Sequence, residues 1–135
     1  MAERLAFEMT FTAGREHIDE LGHVNNAVWV QWMEEVATTH WRSVADSSHQ
    51  ERYFWVVVRH EIDYLRAVVE GETITARTWA GDRPHGAKFD RHIEFTGADG
   101  KVRVRSRTDW AIIDKGSGRP VRVPPAVVAP FLAPR

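Results

Sequence analysis

Ile18-Asp19-Glu20-Leu21-Gly22-His23-Val24-Asn25-Asn26-Ala27-Val28-Trp29 is an acidic loop that runs into the start of a helix. Asn25 and Asn26 are good caps, because a short side-chain oxygen can accept from the backbone N–H groups that the first helical turn leaves free. From Ala27 to Val44 the apolar residues recur at helical spacing. Trp29, Met33, Val36, Ala37, His40 and Trp41 fall on one side, and Gln31, Glu34, Glu35, Thr38 and Arg42 on the other. Asp46-Ser47-Ser48-His49 reads as the end of this helix.

On either side of the helix the pattern changes to strands. Leu5 to Ala13 alternates and is rich in Phe and Thr, and a polar loop from Gly14 to Asn25 follows it. Tyr53 to Leu65 holds too many aromatic and β-branched residues for a comfortable helix. Glu72 to Ala80, Ala87 to Thr96 and Val102 to Ile113 read as further strands. Asp99-Gly100 is a hairpin turn signal, and placing it at the corner sets Phe95 opposite Val104 and Phe89 opposite Trp110. The same register sets Glu94 opposite Arg105, so apolar meets apolar on one face and acid meets base on the other. After Gly116-Ser117-Gly118, the proline-rich tail Arg119 to Arg135 is expected to pack as an extended segment. One strand, one helix and four strands make an α+β chain. The helix must cover a sheet face, and the sheet edge invites a second subunit.

The totals bound what such a chain does. At 135 residues, 1–135 fits a single domain with a real core. Lys plus Arg is 18 against 19 Asp plus Glu, a net charge of -1, so no long-range pull on nucleic acid or an anionic membrane is expected. The absence of cysteine excludes disulfides, a thiolate nucleophile and a sulfur-ligated zinc site. Met1-Ala2-Glu3-Arg4-Leu5 lacks the order of a secretory signal, and no apolar run approaches a membrane span. A cytoplasmic protein is the expectation. Six tryptophans point to large apolar contact surfaces in a core or a subunit interface.

The loop and helix start suit acyl transfer from an activated ester. A helix N-terminus carries free N–H groups and a partial positive charge, which polarise a carbonyl and hold a developing oxyanion. Asp19, just upstream, is placed to act as base or nucleophile.

The same stretch resembles the signature of the 4-hydroxybenzoyl-CoA thioesterase family of hotdog-fold acyl-CoA thioesterases. The matching residues are Asp19, Gly22-His23-Val24-Asn25-Asn26, Trp29 and Glu34-Glu35. Ile62-Asp63-Tyr64-Leu65-Arg66-Ala67 before Gly71-Glu72, and Arg119-Pro120 before Val123-Pro124, extend the similarity along nearly the whole chain. The resemblance implies a hotdog fold, an antiparallel sheet wrapped around one long central helix. It implies hydrolysis of an acyl-CoA or carrier-bound thioester without cofactor, in a homodimer or homotetramer whose sites lie at the subunit interface. It further implies that Asp19 is the catalytic carboxylate, as general base or nucleophile, and that the Asn26 backbone N–H polarises the carbonyl. Two positions depart from the family pattern. His17 stands where relatives often carry an acid, and Trp29, assigned to the substrate pocket, stands where they often carry Tyr.

Several residues have plainer readings. His23 either contacts substrate and assists the base, or locks the loop by a hydrogen bond. Glu34 and Glu35 are solvated acids first and reserve nucleophiles second. Arg83, His85 and Lys88 surround a turn, and Arg83 and Lys88 are candidates for the nucleotide end of CoA. Arg103, Arg105 and Arg107 form a basic stripe for which cross-strand pairing is preferred over phosphate binding. His60-Glu61 begins a helical zinc-protease motif, but Tyr64 stands where its second His belongs and the surroundings favour a strand. No metal is expected. The competing functions are a hotdog hydratase or dehydratase, with Asp19 and His23 sharing protons, and a non-catalytic acyl-thioester binding module.

Overall fold

A computed structural model describes residues 6–132. The Asn25 side chain accepts from the Ala27 N–H at 2.8 Å, and from that cap the helix α1 runs Asn26–Val44. It stops where Ala45 turns extended, its N–H donating to the Trp41 carbonyl. The expected inner face is buried, with Trp41 half-buried at its border. Val28 and Trp32 are buried as well, which widens the stripe beyond a single packing seam. A sheet that curls around the helix meets that wider surface.

The sheet consists of β1 (Phe7–Thr12), β2 (Tyr53–Tyr64), β3 (Thr73–Ala80), β4 (Lys88–Thr96), β5 (Val102–Asp114) and a two-residue β6 (Arg119–Pro120). All pairings are antiparallel, in the order β1-β3-β4-β5-β2, with β6 on β5. Leu5, included in the expected first strand, lies outside the described residues. The hairpin register is the one set by Asp99-Gly100: Phe95 pairs with Val104, Phe89 with Trp110 and Glu94 with Arg105. The corner is looser than a two-residue turn, because the register shifts at Phe95/Thr96 and residues 97–101 close the loop.

Alternation sends Ala76, Phe95 and Val104 inward to Trp29 and Trp32, in a cluster beneath the first half of α1. A second cluster, with Tyr53, Phe89, Ile112, Val127 and Phe131, fills the far end. Cross-strand pairing, as expected, takes up Arg105 with Glu94 at 3.0 Å and Arg107 with Asp90 at 3.6 Å, whereas Arg103 pairs with Asp99 of the turn at 3.0 Å. His60 stands on β2, its Nδ1 2.7 Å from the Thr108 hydroxyl, so the strand reading holds there.

Two expectations are corrected. Asp46 does more than end α1, for it caps a second helix, α2 (Ser47–Arg52), accepting from the Ser48 N–H at 2.9 Å. The tail is not extended throughout, since Pro125–Leu132 forms α3. Pro125 suits a first helical position, where its missing N–H costs nothing. Pro130 forfeits one helical bond, and burial of Val127, Val128 and Phe131 against the second cluster offsets that loss.

Candidate active site

The acidic loop is tied down by its backbone. Asp19 N–H donates to the His23 carbonyl at 2.9 Å and Gly22 N–H to the Asp19 carbonyl at 3.0 Å, a tight ring that needs Gly22 at φ 83°. Asn25 N–H donates to the His17 carbonyl at 2.9 Å, and Val24 N–H to the Val68 carbonyl at 2.8 Å. The ring is thereby anchored both to the short 3-10 turn Arg15–His17 and to the segment after β2. His17, one of the two departures from the family pattern, accepts the Gly14 N–H on Nδ1 at 2.9 Å and packs edge-on against Trp32. Its role here is to hold the loop base.

Asp19, His23, Asn26 and Trp29 line one cleft of about 420 Å³, together with Tyr64 and Arg66. The Asp19 Oδ1 accepts the Leu21 N–H at 2.9 Å, which orients the carboxylate and leaves its second oxygen without a partner among the described residues. The Asn26 N–H, the first of α1, likewise has no partner among them, as helix geometry requires. The residues that carry this carboxylate and this orphan amide, at the positive end of a helix, therefore line the same space. His23 is exposed on the cleft wall and, among the described residues, makes no side-chain bond that would lock the loop. Trp29 is buried, and its ring packs edge-on against Trp32 and Phe95, so it forms the cleft floor and the core at once.

Tyr64, Leu65, Arg66 and Ala67 form the opposite wall, a role that sequence reasoning did not assign to them. The Tyr64 hydroxyl donates to the Asn26 carbonyl at 3.4 Å, and partial desolvation of this largely exposed side chain pushes its phenol up, so it remains a donor near neutrality. Arg66 anchors one guanidinium nitrogen on the Val102 carbonyl at 2.9 Å and brings a cation to the rim. Glu34 and Glu35 are exposed and do not line the cleft.

Arg83 and Lys88 are not brought to it within the chain. Lys88 pairs with Ala111, whereas the cleft lies at the Tyr64–Val104 end of the sheet. From Lys88 to Phe95, which pairs with Val104, is roughly 23 Å along β4. Among the described residues no group of His, Asp and Glu side chains is arranged to hold a metal ion.

The fold recurs in solved structures. A hypothetical protein from Staphylococcus aureus, solved in complex with CoA, superposes with a TM-score of 0.83 at 18% identity, over 93% of this chain and 81% of that one. A thioesterase from Thermus thermophilus, complexed with coenzyme A and Zn, gives 0.80 at 22% identity over 93% and 97%. An acyl-ACP thioesterase from Bacteroides thetaiotaomicron gives 0.80 at 20% identity, and the chain spans about half of its length (96% and 54%). No curated protein matches the sequence significantly. At these identities the likeness establishes the shared hotdog fold. A family model of the thioesterase-like superfamily matches residues 14–131, from the loop base to α3, and the chain belongs to that superfamily.

Proposed function

We propose that this protein hydrolyses an acyl-CoA thioester to a free carboxylic acid and CoA, as members of the 4-hydroxybenzoyl-CoA thioesterase family do. The observation that carries this reading is one cleft at the start of α1 lined by both Asp19, with a carboxylate oxygen left unbonded, and Asn26, with its N–H left unbonded, among the described residues. The thioester carbonyl sits on the Asn26 N–H, where the helix field stabilises negative charge on its oxygen. Asp19 either takes a proton from water as that water attacks, or attacks the carbonyl carbon itself. The C–S bond then breaks and the CoA thiolate leaves, taking up a proton; where Asp19 has attacked, water next cleaves the mixed anhydride, releasing the acid and restoring the carboxylate. His23, exposed beside Asp19, is free to assist that proton traffic. The catalytic work needs no cofactor.

The substrate site is completed by a second copy. Among the described residues β2 ends the sheet with its outer edge unpaired, and Phe54, Val56 and Val58 are exposed on this strand. Antiparallel pairing of two β2 edges sets the Tyr53 end of one copy beside the Tyr64 cleft of the other. That pairing also swings the Arg83–Lys88 end toward the neighbouring cleft, where it serves the nucleotide end of CoA alongside Arg66. CoA thioesters place the work in the cytoplasm, and no described helix is long and apolar enough to cross a membrane.

Thiol release, read with a disulfide indicator across aromatic, short and long acyl-CoA substrates, tests the reading. Release from one class is the expected outcome. Hydration of an enoyl-CoA without thiol release points to the hydratase instead, and binding without turnover to the binding module.

A further inference from the structure

A second cavity, of about 300 Å³, lies beneath the last turns of α1 at the other end of the sheet from the Asp19 cleft. Its walls are aromatic, with Trp41, Trp55, Phe89, Trp110 and Phe131, and Arg91 enters from β4. Strand alternation puts Arg91 on the inner face with Phe89, Ile93 and Phe95. A half-buried cation in that row needs an explanation, because even partial burial of a charge without a counter-charge is costly.

The partners of Arg91 do not supply that counter-charge. Its Nη1 donates to His40 Nδ1 at 2.9 Å and to the Thr78 hydroxyl at 2.9 Å. His40 is neutral, its pKa lowered to about 3 by burial and by Arg91 itself. Burial lowers the guanidinium to about 10, which leaves it charged at neutral pH. Asp90, also on the cavity wall, commits its carboxylate to His92 at 2.9 Å and Arg107 at 3.6 Å. Arg42 and Lys115 line the cavity too and add positive charge. Among the described residues no carboxylate pairs with the half-buried Arg91, and its Nε and Nη2, which make no hydrogen bond, are open to the cavity. A second donor points the same way, for the Trp110 indole Nε1 is buried with no hydrogen bond. One cavity thus combines a charged donor, an unsatisfied neutral donor and an aromatic box.

We propose that this cavity binds a free apolar carboxylate of single-ring or short-chain size, its carboxylate on Arg91 and Trp110 Nε1 and its apolar body among the indole rings. A planar guanidinium matches a carboxylate in two parallel hydrogen bonds. The volume is at the small end for ligand sites, which limits the occupant to about that size. In the β2-paired dimer of the proposed function this cavity, at the Tyr53 end of the sheet, adjoins the neighbouring Asp19 cleft, so the inference rests on that reading for its biological role, while its test reads binding alone and fails separately from the turnover assay.

The test titrates the full chain with phenylacetate and with its neutral analogue phenylacetamide, following tryptophan fluorescence and the thermal midpoint. Saturable binding of the acid, at least about tenfold tighter than the amide, is expected. Arg91→Met should abolish that preference. Trp110→Phe keeps the ring and removes the donor, and should weaken the acid several-fold without changing the amide. Equal binding of acid and amide, binding of neither, or an Arg91→Met protein that holds the acid as tightly as the parent each overturns the proposal. If Arg91→Met does not fold, the acid–amide comparison and Trp110→Phe still decide.

Discussion

Replacing Asp19 by Asn separates chemistry from architecture at this site. The loop uses Asp19 through one carboxylate oxygen, which accepts the Leu21 N–H at 2.9 Å, and through its backbone bonds to His23 and Gly22. Asparagine keeps an acceptor oxygen in that place, so the turn survives and stability should stay within about 0.5 kcal/mol of the parent. What is lost is the negative charge on the open oxygen. A positioned general base contributes roughly 10²- to 10⁴-fold, which at about 1.4 kcal/mol per decade is about 3 to 5 kcal/mol of transition-state stabilisation. Asp19→Ala removes both functions. It should be as inactive as Asp19→Asn, and less stable by about 1 kcal/mol from the lost turn bond. Thiol release gives the rates and urea unfolding gives the stabilities. An Asp19→Asn enzyme that keeps more than a tenth of the parent rate refutes the assignment. So does an activity loss that merely tracks unfolding across the two variants.

Three further outcomes follow from the geometry. Asn25→Ala removes the cap bond to the Ala27 N–H and should cost about 1 kcal/mol in urea unfolding, with turnover falling further than that loss because the Asn26 N–H shifts. Val56→Lys with Val58→Lys puts two charges on the exposed row of β2 and should reduce the particle to monomer mass by light scattering, with thiol release lost alongside. His40 stays neutral when folded, at a pKa of about 3 against 6.5 when unfolded. Between those values the unfolded chain binds the extra proton, so stability is complete above pH 6.5 and declines as pH falls toward 3. His40→Gln should flatten that decline, which in the parent has a limiting slope of about 1.4 kcal/mol per pH unit; equal slopes in the two proteins contradict the assignment.

Much of the frame was legible because it rests on side-chain patterns. The Glu94–Arg105 and Phe95–Val104 pairs are consequences of alternation around one turn, and the inner face of α1 follows from spacing alone. The cleft was legible on one side only. Asp19 and Asn26 sit in a distinctive string, whereas Tyr64 to Ala67 become its other wall through a backbone bond, Val24 N–H to Val68 carbonyl, that no side chain announces. Asp46 misled for a related reason, since an Asp-Ser-Ser run serves equally to stop one helix or to cap the next. In the tail, the prolines argued locally against a helix, and the decisive contribution came from distant partners such as Phe89 and Ile112. Arg91 was within reach of alternation, as the one cation in the row Phe89, Ile93, Phe95, but its significance depends on what stands opposite it.

The placement of β5 between β4 and β2 bears on how the chain is made. Tyr53 waits for Asp114, 61 residues later (114 − 53), and Tyr64 waits for Val104, 40 residues later (104 − 64). At about 5 to 20 residues per second, a ribosome needs roughly 2 to 12 seconds to deliver those partners. For that interval β2 has emerged with neither edge paired and with Phe54, Val56 and Val58 in a row. Translation speed across residues 65–114 therefore sets how long this strand remains open to neighbouring nascent chains before its own β5 closes over it.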